Sequence, residues 1–266
     1  MSIETQPRSV SQTQQYEQCG HRFHLQRIER VPTLKAAWSH HGVAFHAAVE
    51  EYELSQRTMS ADEAVDLFSD RYSSLVNADL EQEPDTDRWL AAGLPGGDDI
   101  ERRYHLGQEQ VRSYIEWAEA HPTKTWKTPD GDKPAVELYF LVDLGGVNVR
   151  GFIDQVVEEP DGTLRPRDWK TGTTKSKFQL ETYSVALRKA YGAEVNRADW
   201  YLAKSGGLSR PLKVDTVTEE QIAARFVAMD EGVKAGKFPA KPGFQCRFCD
   251  VSHACFFKPK LTGNLR

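Results

Sequence analysis

Apolar residues along the first 120 positions recur at helical spacing, and from about Pro134 the period shortens to two. Ser9 or Ser11 can cap a first helix running through Tyr16 and Cys19 to about Ile28. A second helix is expected over Trp38–Gln56, with Val43, Ala47 and Tyr52 among its apolar positions. Ser60 caps a third, carried by Ala64, Leu67, Phe68, Tyr72, Leu75 and Val76. Pro84–Asp98, with two prolines and the run Gly93-Leu94-Pro95-Gly96-Gly97, reads as a loop. A fourth helix follows from about Asp99 to Ala120, stopped by His121-Pro122.

Strand signals begin where Val136, Leu138, Phe140 and Val142 alternate with Glu137, Tyr139, Leu141 and Asp143. Gly145-Gly146 marks a two-residue hairpin, Val147–Val157 a second strand, Pro160-Asp161-Gly162 a turn, and Thr163–Lys170 a third strand. A helix over Lys177–Tyr191, strands near Asp199–Ala203 and Leu212–Val217, and a helix over Glu219–Lys234 lead into a cysteine-rich tail. The expected fold is α/β: a central mixed sheet over 131–240, a helical region over 1–130 and a tail over 241–266, all in one domain.

Counting across the turns brings chemistry into this pattern. A turn centred on Asp161 puts Asp154 opposite Asp168, and a two-residue turn at Gly145-Gly146 puts Glu137 opposite Asp154. Three carboxylates then form one row, with neighbouring Cβ atoms about 5 Å apart. Lys170, two residues beyond Asp168, points to the same face. Like charges directly opposite each other are destabilising unless a cation neutralises them, and oxygen ligands favour Mg²⁺ or Mn²⁺. On the pattern alone, that site and a solvent-facing row with Lys170 pairing Asp168 fit equally well.

Composition leaves both readings open. The 266 residues, 39% hydrophobic and 27% charged, suit a soluble protein with a real core. No apolar run is long enough to span a membrane, and the polar first fifteen residues lack the apolar segment of a secretory signal. The expected location is therefore the reducing cytoplasm, where four cysteines serve better as metal ligands than as disulfides. A net charge of −5 is compatible with a basic groove on an acidic protein. Basic groups cluster at Arg22, Arg27 and Arg30, at Lys170, Lys175 and Lys177, and at Arg247, Lys258 and Lys260, although any one alone reads as a solvated face. No G-x-x-x-x-G-K-[ST] loop occurs, so the sequence carries no P-loop motor.

The runs Gly151-Phe152-Ile153-Asp154, Arg167-Asp168-Trp169-Lys170-Thr171-Gly172 and Gln179-Leu180-Glu181-Thr182-Tyr183 resemble the G-x-x-D, D-x-K-T-G and Q-x-x-x-Y motifs of RecB-like PD-(D/E)XK nucleases. His46, in Gly42-Val43-Ala44-Phe45-His46, resembles the histidine these enzymes place on an upstream helix. The order and spacing match over nearly the whole chain. They are most similar to standalone CRISPR-associated RecB-like exonucleases and the nuclease part of AddB. Arg167 is the one departure, since an apolar residue often precedes the aspartate.

The resemblance implies a restriction-endonuclease-like core and a Mg²⁺- or Mn²⁺-dependent DNA exonuclease acting on single strands or DNA ends. A helicase, recombination or CRISPR protein would be its partner. It implies His46, Asp154, Asp168 and the Trp169 carbonyl as metal ligands, with Lys170 orienting the attacking water. Gln179 and Tyr183, four apart on one helix face, would hold the lysine and the DNA strand. Glu137 joins the metal group on the register argument. A rival is a non-catalytic DNA-end or partner-binding module on the same fold, against which the intact Asp154, Asp168 and Lys170 set argues.

Cys246-x2-Cys249-x5-Cys255 gathers three thiols in ten residues, with Cys19 at the other end of the chain. Four thiolates suit zinc or an iron–sulfur cubane equally. Spacing alone favours zinc, for which His21 and His253 are spare ligands. One N-terminal cysteine with a C-terminal C-x2-C-x5-C resembles the [4Fe–4S] staple of the iron–sulfur branch of RecB-like nucleases, which implies that cluster joining the two ends.

Overall fold

The computed structural model describes residues 5–91, 93–172 and 176–258. Lys175, Lys260 and the last eight positions of the tail lie outside these residues.

The N-terminal segment departs from one continuous helix. Helix α1 (Val10–Gln18) starts at Ser9, whose hydroxyl accepts the Gln12 N–H while the Gln12 side chain returns to the Ser9 N–H. It ends at Cys19, which is extended (φ −163°, ψ 104°); a short α2 (Gly20–Phe23) and a π-helical turn (His24–Ile28) follow. The break matters: it turns Cys19 out of the helix beside the tail.

Helices α3 (Ala37–Leu54), α4 (Ala61–Gln82, with a Ser60/Glu63 capping box) and α5 (Gly96–Ala120) form a three-helix layer. Ala44, Phe45, Ala48, Val49 and Tyr52 of α3 are buried, whereas the expected apolar position Val43 is exposed, as is Leu67 of α4. The loop before α5 holds a 3-10 turn (Thr86–Arg88) and buries Trp89, and α5 begins at Gly96 instead of Asp99.

The sheet comprises β1 (Lys124–Thr125), β2 (Val136–Leu144), β3 (Val147–Glu158), β4 (Leu164–Lys170), β5 (Arg197–Leu202), β6 (Gly207–Leu208) and β7 (Leu212–Lys213). The strand expected over Leu212–Val217 is thus only two residues long. β3 pairs antiparallel with β1, β2 and β4, and β4 pairs parallel with β5, which carries β6 and β7 antiparallel. A parallel step needs a crossover, and α6 (Lys177–Tyr191) supplies it. α7 (Glu219–Lys234) completes the helices.

Each face of the sheet has its own core. Phe140, Val149, Ile153 and Trp200 pack with Phe178, Leu180 and Tyr183 of α6 and Phe226 of α7. On the other side, Val136, Trp169 and Tyr201 pack with Phe45, Tyr52, Phe68, Tyr72 and Tyr114 of α3–α5. The helical first half therefore shares a core with the sheet. That contact brings α3 over the end of β4. Among the described residues, no helix is long and apolar enough to cross a membrane.

Candidate active site

The two hairpins hold the register counted from their turns. β3 and β4 pair Gln155 with Arg167 through Glu158 with Leu164, and β2 and β3 pair Leu144 with Val147 through Val136 with Gln155. The β3–β4 register stops one step short of Asp154, and the β2–β3 register skips the Glu137–Asp154 pair between Val136–Gln155 and Leu138–Ile153, so the regular ladder gives way there. Asp154 Oδ2 accepts the Trp169 N–H at 2.6 Å, so a side chain takes the place of a strand partner. On β2, Glu137 adopts φ +45°, a left-handed conformation that costs an L-residue about 1–3 kcal/mol. Gly151, the glycine of G-x-x-D, is required by packing: a Cβ there would lie 2.7 Å from Cζ of Phe140.

His46 reaches this point from α3. Its Nδ1 lies 3.6 Å from Glu137 Oε1 and 3.7 Å from Asp154 Oδ2, and its Nε2 is 2.9 Å from the Trp169 carbonyl. With Nε2–H donating to that carbonyl, Nδ1 faces the carboxylates, bearing a proton in the imidazolium and offering a lone pair once a cation displaces that proton. Ligand atoms of His46, Glu137 and Asp154 all lie within 4.8 Å of one another. Glu137, introduced by register alone, is thus a full member of the cluster. Asp168 stands beside it, held by Lys170: Nζ is 2.9 Å from Oδ1 and 2.8 Å from Oδ2.

Charge accumulates here with little water. Asp154 and Asp168 are buried, and burial raises both carboxyls, Asp154 to about 7, against the opposing pull of His46 on the first and Lys170 on the second. Burial also disfavours the His46 imidazolium, but Asp154, Glu137 and Asp168 outweigh it and raise the ring to about 9. The carboxylate cluster therefore attracts positive charge. An imidazole nitrogen with several carboxylate oxygens and a peptide carbonyl is a donor set that suits Mg²⁺ or Mn²⁺.

Lys170 is fixed from α6. Its Nζ donates to Gln179 Oε1 at 3.1 Å, and Gln179 Nε2 donates to the Tyr183 hydroxyl at 2.8 Å. Tyr183 is only 5% exposed and its ring packs against Phe140, and its hydroxyl bears on Lys170 through Gln179. A cleft of about 330 Å³ opens over His46, Trp169, Lys170, Thr171 and Gln179.

Asp199 escaped the sequence reading. It is fully buried and pairs with Arg167 through Nε–Oδ1 (2.7 Å) and Nη2–Oδ2 (3.2 Å), with Arg165 Nη1 also 3.2 Å away. The guanidinium of Arg167 lies 5.2 Å from the Trp117 ring centre. The unusual arginine before Asp168 is accounted for: Arg167 faces away from the carboxylates and ties β4 to β5.

The four cysteines are free and half-buried. The tail does pack on the N-terminal segment: Arg22 Nε donates to Asp250 at 2.9 Å, Leu34 N–H donates to the Asp250 carbonyl at 2.7 Å, and Tyr16 hydroxyl donates to the Lys237 carbonyl at 2.6 Å.

Two relatives match over most of their length. The chain is 41% identical over 259 residues to the Gene 69 protein of Mycobacterium phage D29, covering 93% of this chain and 96% of the relative. It is 36% identical over 277 residues to the Gene 69 protein of Mycobacterium phage L5, covering 93% and 95%. Residues 7–256 match the pattern of a family whose members are metal-dependent nucleases, and that span holds every member of the carboxylate cluster and Lys170. By that match, this chain belongs to the PD-(D/E)XK nuclease superfamily.

Proposed function

We propose that this nuclease is a RecB-like DNA exonuclease that hydrolyses phosphodiesters of single strands or DNA ends with Mg²⁺ or Mn²⁺. The observation that carries the reading is the grouping of His46, Glu137 and Asp154, with Lys170 holding Asp168, beside a cleft that His46 and Lys170 line. In this reading His46 Nδ1, Glu137, Asp154 and Asp168 hold the cation, with the Trp169 carbonyl alongside. The cation supplies Lewis acidity toward the phosphodiester.

The protein's own groups do the rest. An ammonium has three protons. Two of those of Lys170 are directed at Asp168 and Gln179, and the third remains for a phosphoryl oxygen or the attacking water as negative charge develops. Gln179, held by Tyr183, restricts Lys170 to that geometry. Water gives up a proton to solvent as it adds to phosphorus, the bond to the leaving sugar oxygen breaks, and the departing oxygen takes up a proton from solvent.

The four cysteines are proposed to hold a [4Fe–4S] cluster stapling the N-terminal segment to the tail; zinc is the alternative. The reading is supported by the contacts of Arg22 and Leu34 with Asp250, beside Cys249. The phage relatives favour a role in phage DNA processing or recombination within the host cytoplasm. Labelled single-stranded DNA incubated with Mn²⁺, with and without EDTA, tests the activity. Metal-dependent shortening supports it, and intact DNA under both conditions contradicts it.

A further inference from the structure

The catalytic strands do not end at their carboxylates. Phe152 precedes Asp154 by two residues on β3, and Tyr139 follows Glu137 by two on β2, so each aromatic lies two strand positions from its carboxylate. The two are register partners, with ring centroids 5.3 Å apart. A cross-strand aromatic pair is ordinarily a packing device. This one is 49% and 54% exposed, on the face away from the core residues Phe140 and Ile153. The next pair along is Leu141 and Arg150, both exposed.

A cavity of about 650 Å³ joins these rings to the chemistry. Tyr139, Phe152 and Arg150 line it together with Lys170, Gln179 and Tyr183. The remaining lining comes from Gly151 and from uncharged residues at the start of α1, with no carboxylate among them. Gln14, Lys170 and Gln179 also line the cleft over His46 and Trp169, so the two spaces adjoin at these side chains. Aromatic faces, flanking cations and no anions form a surface complementary to a polyanion with exposed ring faces.

We infer that Tyr139 and Phe152 form a stacking platform for unpaired nucleobases of a single DNA strand whose backbone runs past Arg150 to Lys170. Two residues of strand span about 7 Å, so bases next to the scissile phosphate reach the rings. Bases in a duplex keep their faces stacked on each other, and only an unpaired strand can offer them. The platform thereby selects single strands and frayed ends. This inference rests on the nuclease reading for the place of the scissile phosphate.

Its test is binding of a short fluorescein-labelled oligothymidylate in EDTA, followed by anisotropy, beside an abasic strand and a duplex of the same length. Tyr139→Leu and Phe152→Leu keep an apolar side chain but remove the ring face. Each should weaken oligothymidylate binding about 5- to 100-fold, the range of base–aromatic stacking, and leave abasic-strand binding unchanged. Tyr139→Phe and Phe152→Tyr should stay within about twofold of the parent. Melting curves identify any leucine variant that is unfolded, and Phe152→Trp, which keeps a ring and should bind at least as tightly as the parent, then carries the test. Unchanged oligothymidylate affinity in folded leucine variants, equal losses on the abasic strand, or a Phe152→Trp protein that folds but loses the strand would each overturn the platform. Ring-dependent binding by a protein that never cleaves the strand in Mn²⁺ would remove the nuclease reading alone. Cleavage with ring-independent binding would remove the platform alone.

Discussion

Asp154 Oδ2 accepts the backbone N–H of Trp169 at 2.6 Å, which makes one carboxylate both the end of the β3–β4 ladder and a member of the cluster proposed to hold the cation. The two roles separate by substitution. Asp154→Asn keeps an acceptor for that N–H and removes a buried negative charge among like charges, so the metal-free protein should melt no lower than the parent. Asp154→Ala leaves the buried N–H without its partner, at a cost of about 1–3 kcal/mol. Both should bind Mn²⁺ at least about tenfold more weakly by calorimetric titration, since a charged ligand is lost. Equal melting temperatures for the two variants would contradict the structural role, and unchanged Mn²⁺ affinity the ligand role.

Glu137 places its carboxylate beside His46 from a left-handed backbone. Glycine adopts that conformation without a Cβ penalty. Glu137→Gly should therefore stabilise the metal-free protein by about 1 kcal/mol, roughly 2–4 °C in melting temperature, while Mn²⁺-dependent activity falls. A variant that melts lower would show that Glu137 is not strained, and one that keeps full activity that it is not a ligand.

The hairpin registers were legible in the sequence because a turn fixes the count on both sides and no bulge lies between the turns and the carboxylates. Asp154, Asp168 and Lys170 follow from that count, while His46 came only from the family resemblance. The conformation of Glu137 was not legible, since nothing in a Glu flanked by valine and leucine signals positive φ. Asp199 was missed for a different reason: β4 and β5 are parallel and joined through α6, so no turn sets their register. The burial of Tyr183 escaped because Gln179 and Tyr183 share a helix face that looked polar, yet the ring dips toward Phe140. Val43 and Leu67 illustrate the same limit, being apolar residues at plausible spacing left on the outside.

His41 ties α3, which carries His46, to α5: its Nε2 lies 2.9 Å from Gln110 Oε1, and the side chain is almost fully buried. Burial, reinforced by Arg103 and Arg102 and opposed by Asp99, lowers its pKa to about 4. The unfolded chain, with an ordinary histidine near 6.5, binds the proton more readily over this interval. Stability is fully present above about pH 6.5 and lost as pH falls toward 4, by up to roughly 3 kcal/mol. Denaturant titrations across this range should show a flatter slope for His41→Gln than for the parent. Identical slopes would show that His41 does not control acid stability.

The cysteine proposal predicts brown protein after anaerobic purification, with broad visible absorption and four iron atoms per chain. Replacing Cys19, Cys246, Cys249 or Cys255 by alanine should bleach it, lower the melting temperature and expose the tail to protease, because a ligand bound only by the folded state stabilises it. Colourless protein holding one zinc would replace the cluster but keep the staple. A Cys19→Ala protein with unchanged metal content and melting temperature would remove the staple itself.

Lys170 is where the account is most exposed, because its ammonium is assigned to the chemistry and not to holding DNA. The direct measurement is cleavage of end-labelled single-stranded DNA in Mn²⁺ by the parent and by Lys170→Ala, alongside their DNA affinities in EDTA. The account predicts metal-dependent cleavage by the parent, a loss of at least about 100-fold in the variant, and affinities within a fewfold of each other. Cleavage by Lys170→Ala at the parent's rate, from protein free of host nucleases, would contradict it.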